Sequence, residues 1–375
     1  MLPPSDDDVA FHELARIFSI RHQGNEVLEI EILPPGLGPL LQDGNSVGIT
    51  KKYLIQAFLT ARRKFLDAVN GKPVDQLKLE TTASHSAPWS HASDQALIVS
   101  TEIILLFDCE HLTACNWRKR RLAAAIQSHD PSGSDKDGLQ SLIDALHKEL
   151  SFTKTYLCSP LHRHTKSPTL WNYRSWILSR LIRLQRPGMV ASTPQGQPSK
   201  LSYETSAGIV AGELAMVLRS GELHPRNYYA FGYLREAIDL VSDTSESGPN
   251  VSALLAEYMI QKVLQWCLAH PADISGWAFT SFLLEKVSQD EIRRETVYQV
   301  IQFALDIGWE GESLWIFVDS ASSTLDGKNV IESGHWASRW VALTEHSLPN
   351  AGSQGGWRTW LDRARAVWAA GPAVN

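Results

Sequence analysis

The sequence has little cysteine, little net charge and no long apolar run, and each shortage argues against a class of protein. Four cysteines (Cys109, Cys115, Cys158 and Cys267) spread over 375 residues do not make a disulfide framework, and none is paired as CxxC. Such usage suits a reducing compartment, so a cytoplasmic location is expected. Lys and Arg number 35 against 41 Asp and Glu, so no overall basic field exists to hold a nucleic-acid backbone, and no nucleic-acid partner is expected. The longest nearly apolar stretch, Ala96 to Phe107, has 12 residues and contains Glu102, too short and too polar for a membrane span. The opening MLPPSDDDVAF lacks the basic and apolar regions of a secretory signal, and Asp6 to Asp8 are expected to form a frayed, solvated end. Strand-like alternation is scarce too. Only NEVLEIEILPP (25–35) suggests a strand, and it reads as isolated, which argues against α/β folds and sandwiches.

What is present is helical periodicity and tryptophan, of which there are 13. Leu54, Phe58, Ala61, Phe65 and Ala68 follow a three-or-four spacing, as do Trp357, Trp360, Leu361, Ala364 and Trp368 near the end. Ser167-Pro168 supplies an N-cap and a first-turn proline to the helix TLWNYRSWILSRLI. Polar Gly/Pro/Ser-rich stretches at 128–138, 186–200, 242–250 and 348–356 read as loops or insertions. The fold class is all-α. Residues 1–50 read as an N-terminal extension, 51–347 as a helical-hairpin domain, and 348–375 as a loop with an amphipathic helix.

Self-comparison shows a repeat, in which a turn is followed six residues later by a large side chain opening an apolar helix. The five segments are CEHLTACNWRKRRL, TKSPTLWNYRSWIL, PRNYYAFGYLREAI, PADISGWAFTSFLL and WEGESLWIFVDS, with anchors Cys115, Trp171, Phe231, Trp277 and Trp315. The anchors are 56, 60, 46 and 38 residues apart, too uneven for a tetratricopeptide array of about 34 residues per unit. Each unit is expected to be a helix, a turn and a second helix, the first helices lying near 95–107, 139–157, 203–220, 251–269 and 290–306. Cys115 leaves a smaller side chain than Trp, so neighbours such as Trp117 are expected to fill its place. Arg118 and Arg174 follow their anchors by three residues, one turn along the same face. They are expected to pair with acids of adjacent hairpins. Leu234, Thr280 and Val318 replace the arginine in the other repeats.

The Pro-x5-Trp-x-x-Arg form resembles the repeats of protein prenyltransferase alpha subunits, most closely in SPTLWNYRSWIL. Residues 32–66 are similar to the N-terminal region of the divergent alpha-type subunits of that family. The resemblance covers roughly 30–345 and implies a right-handed superhelix of helical hairpins that wraps a separate beta subunit. It implies protein prenylation by a heterodimer, with geranylgeranyl as the group transferred to a protein cysteine. The zinc and the prenyl diphosphate would be held by the beta subunit, so no cofactor is expected in this chain.

An alpha subunit can stabilise the leaving diphosphate, where charge develops in the transition state. Carried over residue by residue, the resemblance puts a catalytic Lys at Lys166 and a Tyr at Tyr228, with Arg226 and Tyr229 beside them as diphosphate contacts. The family's Tyr two residues after the Lys is Pro168 here, and its His-type position is Tyr229. The bland alternatives are that Lys166 is a solvated turn residue and that Tyr228 packs inside the array. His162-x-His164 is the one close histidine pair, short of the three or four ligands that a metal site needs. Cys109 and Cys115 read as buried packing rather than reactive thiols. The run Arg118-Lys119-Arg120-Arg121 reads as a solvated face or partner contact. Gly36-Leu37-Gly38 lacks the Lys-Ser/Thr of a phosphate loop and reads as a turn. A non-catalytic helical-repeat adaptor is the competing function.

Overall fold

A computed structural model describes residues 6–24, 27–70, 92–129, 136–190, 200–243, 251–309 and 311–324. The amphipathic segment near 357–368 lies outside them. The described chain begins with α1 (Asp6–Gly24), three strands β1 (Glu29–Leu33), β2 (Leu40–Asp43) and β3 (Ser46–Thr50), and α2 (Lys51–Asn70). Five helix pairs follow: α3 (Ala92–Phe107) with α4 (Leu112–Ser128), α5 (Lys136–Leu157) with α6 (Pro168–Val190), and α7 (Lys200–Leu223) with α8 (Tyr228–Ser242). The last two are α9 (Val251–Ala269) with α10 (Ile274–Lys286), and α11 (Asp290–Asp306) with α12 (Glu312–Thr324). The fold is a series of helical hairpins, and every repeat anchor lies on the second helix of its pair. The chain divides into two compact units, Met1–Ser192 with Arg219–Tyr233, and Thr193–Leu218 with Leu234–Asn375.

In the first unit α1 buries Phe11, Leu14, Ile17 and Phe18, spaced three and four apart, and packs on α2. Asp8 is not a solvated end. Its carboxylate accepts hydrogen bonds from Thr60 Oγ1 at 3.3 Å and Arg63 Nη2 at 3.1 Å, which tie the start of α1 to α2.

The strand expected at 25–35 is real but not isolated. It belongs to a three-stranded sheet of order β1-β3-β2, with β1 parallel and β2 antiparallel to β3. Asp43 faces Ser46 across a two-residue loop in which Gly44 has φ +55°, a conformation that glycine adopts without strain. The outer edge of β1 is met by the end of α5 and the residues just after it, where the Leu28 and Ile30 N–H groups donate to Thr155 Oγ1 (3.2 Å) on the helix and Ser159 Oγ (2.9 Å) two residues beyond it.

The first two hairpins share a buried ionic network. Arg118 is 1% exposed, and its Nε and Nη2 donate to the two Glu149 carboxylate oxygens at 2.9 and 2.8 Å. Its Nη1 donates to Ile98 O (2.9 Å) and Thr101 Oγ1 (2.8 Å), Glu102 lies 3.4 Å from Nη2, and the Tyr173 hydroxyl donates to Glu149 at 2.8 Å. One guanidinium on α4 thus contacts α3 and α5, and α6 joins through Tyr173. Burial opposes the charge, but Glu149 and then Glu102 outweigh it and raise the Arg118 pKa. Arg174 repeats part of the pattern, donating to Leu150 O (2.7 Å) and Thr153 Oγ1 (2.8 Å) of α5. The basic run at 118–121 is therefore not a uniformly solvated face. Arg118 is buried, Arg121 lies 3.5 Å from Glu149, and Arg120 is exposed.

In the second unit α9 and α10 meet closely at Gly276, where an added Cβ would stand 2.6 Å from the Trp266 ring and 2.9 Å from Cys267 Sγ. Trp277 and Phe317 join α10 to α12 with ring centroids 5.0 Å apart. The positions that lack the repeat arginine are buried as Leu234, Thr280 and Val318, and the Thr280 hydroxyl is bonded to Gly276 O at 3.0 Å.

Removing Glu149 leaves the buried Arg118 Nε and Tyr173 hydroxyl without their acceptor and Arg118 facing only the more distant Glu102. Glu149→Ala is expected to lower stability in urea unfolding by about 3–5 kcal/mol.

Candidate functional site

In three of the five hairpins the turn between the two helices follows one hydrogen-bonding scheme. The indole N–H of Trp171 donates to Thr165 O (2.9 Å), that of Trp277 to Pro271 O (2.9 Å) and that of Trp315 to Trp309 O (2.8 Å). In each case the acceptor lies six residues before the anchor, which gives the repeat spacing a physical cause. Four residues before the anchor a side chain caps the second helix. His111 accepts from Ala114 N (3.2 Å), Ser167 from Leu170 N (3.1 Å), Asn227 from Ala230 N (3.2 Å) and Asp273 from Gly276 N (3.3 Å). Phe231 and Cys115 have no comparable donor, and both are buried. Trp117 turns to α2, meeting Phe65 edge-on at 6.2 Å, while Tyr173 of α6 stands beside Cys115.

The caps also link neighbouring turns. Ser167 Oγ donates to Cys109 O at 3.2 Å, the carbonyl six residues before the preceding anchor. Asn227 Nδ2 likewise donates to Thr165 O at 2.6 Å, and to Ser220 Oγ at 3.0 Å. The Thr165 carbonyl thus receives Trp171, Asn227 and, at 3.3 Å, Ser220. The second and third turns are fixed against each other at the place where the site residues were expected. Asn227 was missed in the sequence; its signal was a cap residue four before the anchor.

Lys166 closes a short 3-10 turn (His164–Lys166) and is half-buried. Arg226 has φ +60° and is exposed, and Tyr228 and Tyr229 are 57% and 51% exposed. Tyr228 therefore does not pack inside the array. These four residues occupy the two adjoining turns, with His162 and His224 close by at a ring separation of 6.1 Å. Burial, then Lys166, then His162 lower the His224 pKa, and Thr165 Oγ1 lies 3.1 Å from its Nδ1. Lys166 and the two imidazoles are thus neighbours, and Arg226, Tyr228 and Tyr229 are exposed on the adjoining segment; cations, phenols and imidazoles are groups that bind anions.

The residues do not fit a metal. Among the described residues no group of three or more His, Cys, Asp or Glu side chains is placed to hold an ion. His162 and His164 diverge, the first exposed and the second buried with Nε2 3.0 Å from Leu105 O. Burial pushes the thiols of Cys109 and Cys115 up to about 11 and that of Cys267 to about 12, the wrong direction for a reactive thiolate. A groove of about 1080 Å³ near the sheet is lined by Ile32, Pro34, Pro35, Lys51 and Tyr53, and contains none of the site residues.

Burial pushes His164 down to about 4 from an ordinary 6.5. The unfolded chain therefore binds this proton first, so stability is whole above pH 6.5 and falls as the pH drops towards 4. Urea unfolding between pH 7 and pH 4 is expected to lose about 3 kcal/mol through this group. His164→Gln should remove that one-proton slope. Where the indole hook is concerned, Trp277→Phe is expected to cost about 2 kcal/mol. Trp171→Phe should cost less through its lost hydrogen bond, because the Thr165 carbonyl keeps the Asn227 amide.

Comparison with known proteins agrees with the turn geometry. The family described as protein prenyltransferase alpha subunit repeat matches residues 146–181, from within α5 to within α6, a span that contains Trp171. A second family, described as ECM9 middle domain, matches residues 202–304. The chain is 26% identical over 161 residues to protein prenyltransferase alpha subunit repeat-containing protein 1-B of Xenopus laevis, covering 41% of this chain and 35% of the relative. The aligned part thus spans about a third of that relative's length. The α5–α6 hairpin that carries Trp171 thus matches the prenyltransferase alpha-subunit repeat, and the chain is similar over 161 residues to a protein that carries such repeats.

Proposed function

We propose that this chain is the alpha-type subunit of a heterodimeric protein prenyltransferase that transfers geranylgeranyl to a protein cysteine. The observation that carries the reading is that half-buried Lys166, on the turn of the segment that matches an alpha-subunit repeat, adjoins the turn that leads to exposed Arg226, Tyr228 and Tyr229. Lys166 and Tyr228 stabilise the leaving diphosphate, and Arg226 and Tyr229 add binding contacts. Preplaced donors of this kind act where charge grows, so they speed the bond-breaking step more than they tighten substrate binding. The zinc and the prenyl chain would be held by the beta subunit, where the metal would favour the thiolate form of the acceptor cysteine. This chain's own share is to seat that subunit and to bind the anion. A cytoplasmic location and a protein substrate go with the reading, and nucleic acid has no part in it. Among the described residues no helix is long and apolar enough to cross a membrane.

A second reading, a non-catalytic helical-repeat adaptor, is favoured by the second half of the chain. There the repeat arginine is replaced by Leu234, Thr280 and Val318, and residues 202–304 match a different family.

Affinity purification of the tagged chain from its native cell extract, followed by mass spectrometry, separates the two. Near-stoichiometric recovery of a zinc-containing prenyltransferase beta subunit is expected. With that complex, Lys166→Ala should lower single-turnover transfer about 10–1000-fold, while the chain alone should be inactive. Recovery of other proteins without such a subunit overturns the enzyme reading in favour of the adaptor.

A further inference from the structure

Next to Lys166 stand two imidazoles from different turns. His162 lies in the segment that follows α5, and His224 directly follows α7. Their ring centroids are 6.1 Å apart at 62°. Thr165 Oγ1, one residue before Lys166, lies 3.1 Å from His224 Nδ1, so the His224 ring is oriented by the same turn that carries the lysine. The Asn227 and Ser220 bonds to Thr165 O hold the two turns in register.

The titratable groups facing His224 are Lys166 from the second turn and His162. Arg163 and Arg226 belong to the same two turns, and the carboxylate of Glu222 on α7 is paired with Arg219 at 3.3 Å. A proton on His224 is thus opposed by burial and by like charge while the site is empty. A ligand carrying two or more negative charges reverses the second effect, since each oxygen it brings near the imidazole favours imidazolium.

We propose that His224, with His162 beside it, is a proton-linked ligand of the anion site centred on Lys166. It is neutral when the site is empty and takes a proton from solvent when a diphosphate-type anion occupies it. Departure of the anion returns that proton to solvent. The proposal rests on the reading of Lys166 as a diphosphate group, and it adds pH-dependent binding and release to it. Each unit by which the anion raises the His224 pKa corresponds to about tenfold in affinity once the pH is below both values.

The test is calorimetric titration of the full chain with inorganic pyrophosphate, at one pH in two buffers of different ionisation heat. Proton uptake is compared between wild type and His224→Gln, which removes the titration and keeps a side chain able to meet Thr165. The protons that pyrophosphate itself exchanges are common to both proteins and cancel in the difference. Wild type is expected to take up more protons per anion than His224→Gln, and its advantage in affinity should grow from pH 8 to pH 6. Equal uptake, with binding retained in both, overturns the role of His224 and leaves the anion site standing. Wild type that binds pyrophosphate no better than Lys166→Ala overturns the anion reading, and this inference with it.

Discussion

The carbonyl at each hairpin turn is the constraint around which the repeats are built. A chain that reverses between two packed helices leaves backbone oxygens with no helical partner, and burying one without a hydrogen bond is costly. In three repeats the indole N–H six residues later provides the partner, which explains why a large aromatic with a donor sits there. The cap of the following helix then reaches back to the same carbonyl position in the previous repeat, as Ser167 and Asn227 do. At the second turn one backbone oxygen, that of Thr165, therefore organises the hairpin and its neighbour together.

The network around Arg118 has a different role. It is ionic, fully buried and confined to the first two hairpins, where it joins residues of four helices. Such networks add less net stability than their bond count suggests, because each charge was solvated in the unfolded chain. Their geometry is demanding, however, and a helix shifted by a turn would leave the guanidinium with mismatched acceptors. Later in the chain, Leu234 and Val318 accept any close-packed arrangement, so the register there rests on caps, indole bonds and aromatic contacts.

The hairpins were legible in the sequence because their signals are local. The six-residue interval from turn to anchor and the helical periodicity locate all five pairs, and the first helices begin within three residues of the expected positions. The sheet was less legible because the pairing of β1 with β3 joins segments that β2 separates. The Asp43-Gly44-Asn45 turn was a local signal for the β2–β3 hairpin and was passed over. At the candidate site, Lys166, Tyr228 and Tyr229 could be located through family resemblance. Asn227 had a local cap signal that was passed over, whereas Thr165 and His224 had none, since what matters is their position against one another across about 60 residues of chain. The divergence of His162 and His164 was equally invisible, as two residues within a tight turn can point to opposite sides.

The hydroxyls of Thr155 and Ser159 on the outer edge of β1 bear on how the protein behaves in a crowded solution. A parallel strand at the margin of a sheet offers unpaired amides to any extended peptide, the usual starting point of edge-to-edge association. Here the end of a helix and the residues just after it supply those partners internally, so the sheet cannot grow by recruiting a strand at Leu28 or Ile30. Loss of the two hydroxyls would uncover a sticky margin on an otherwise well-folded molecule. The harm would then show as self-association, with little change in the folding of the hairpins.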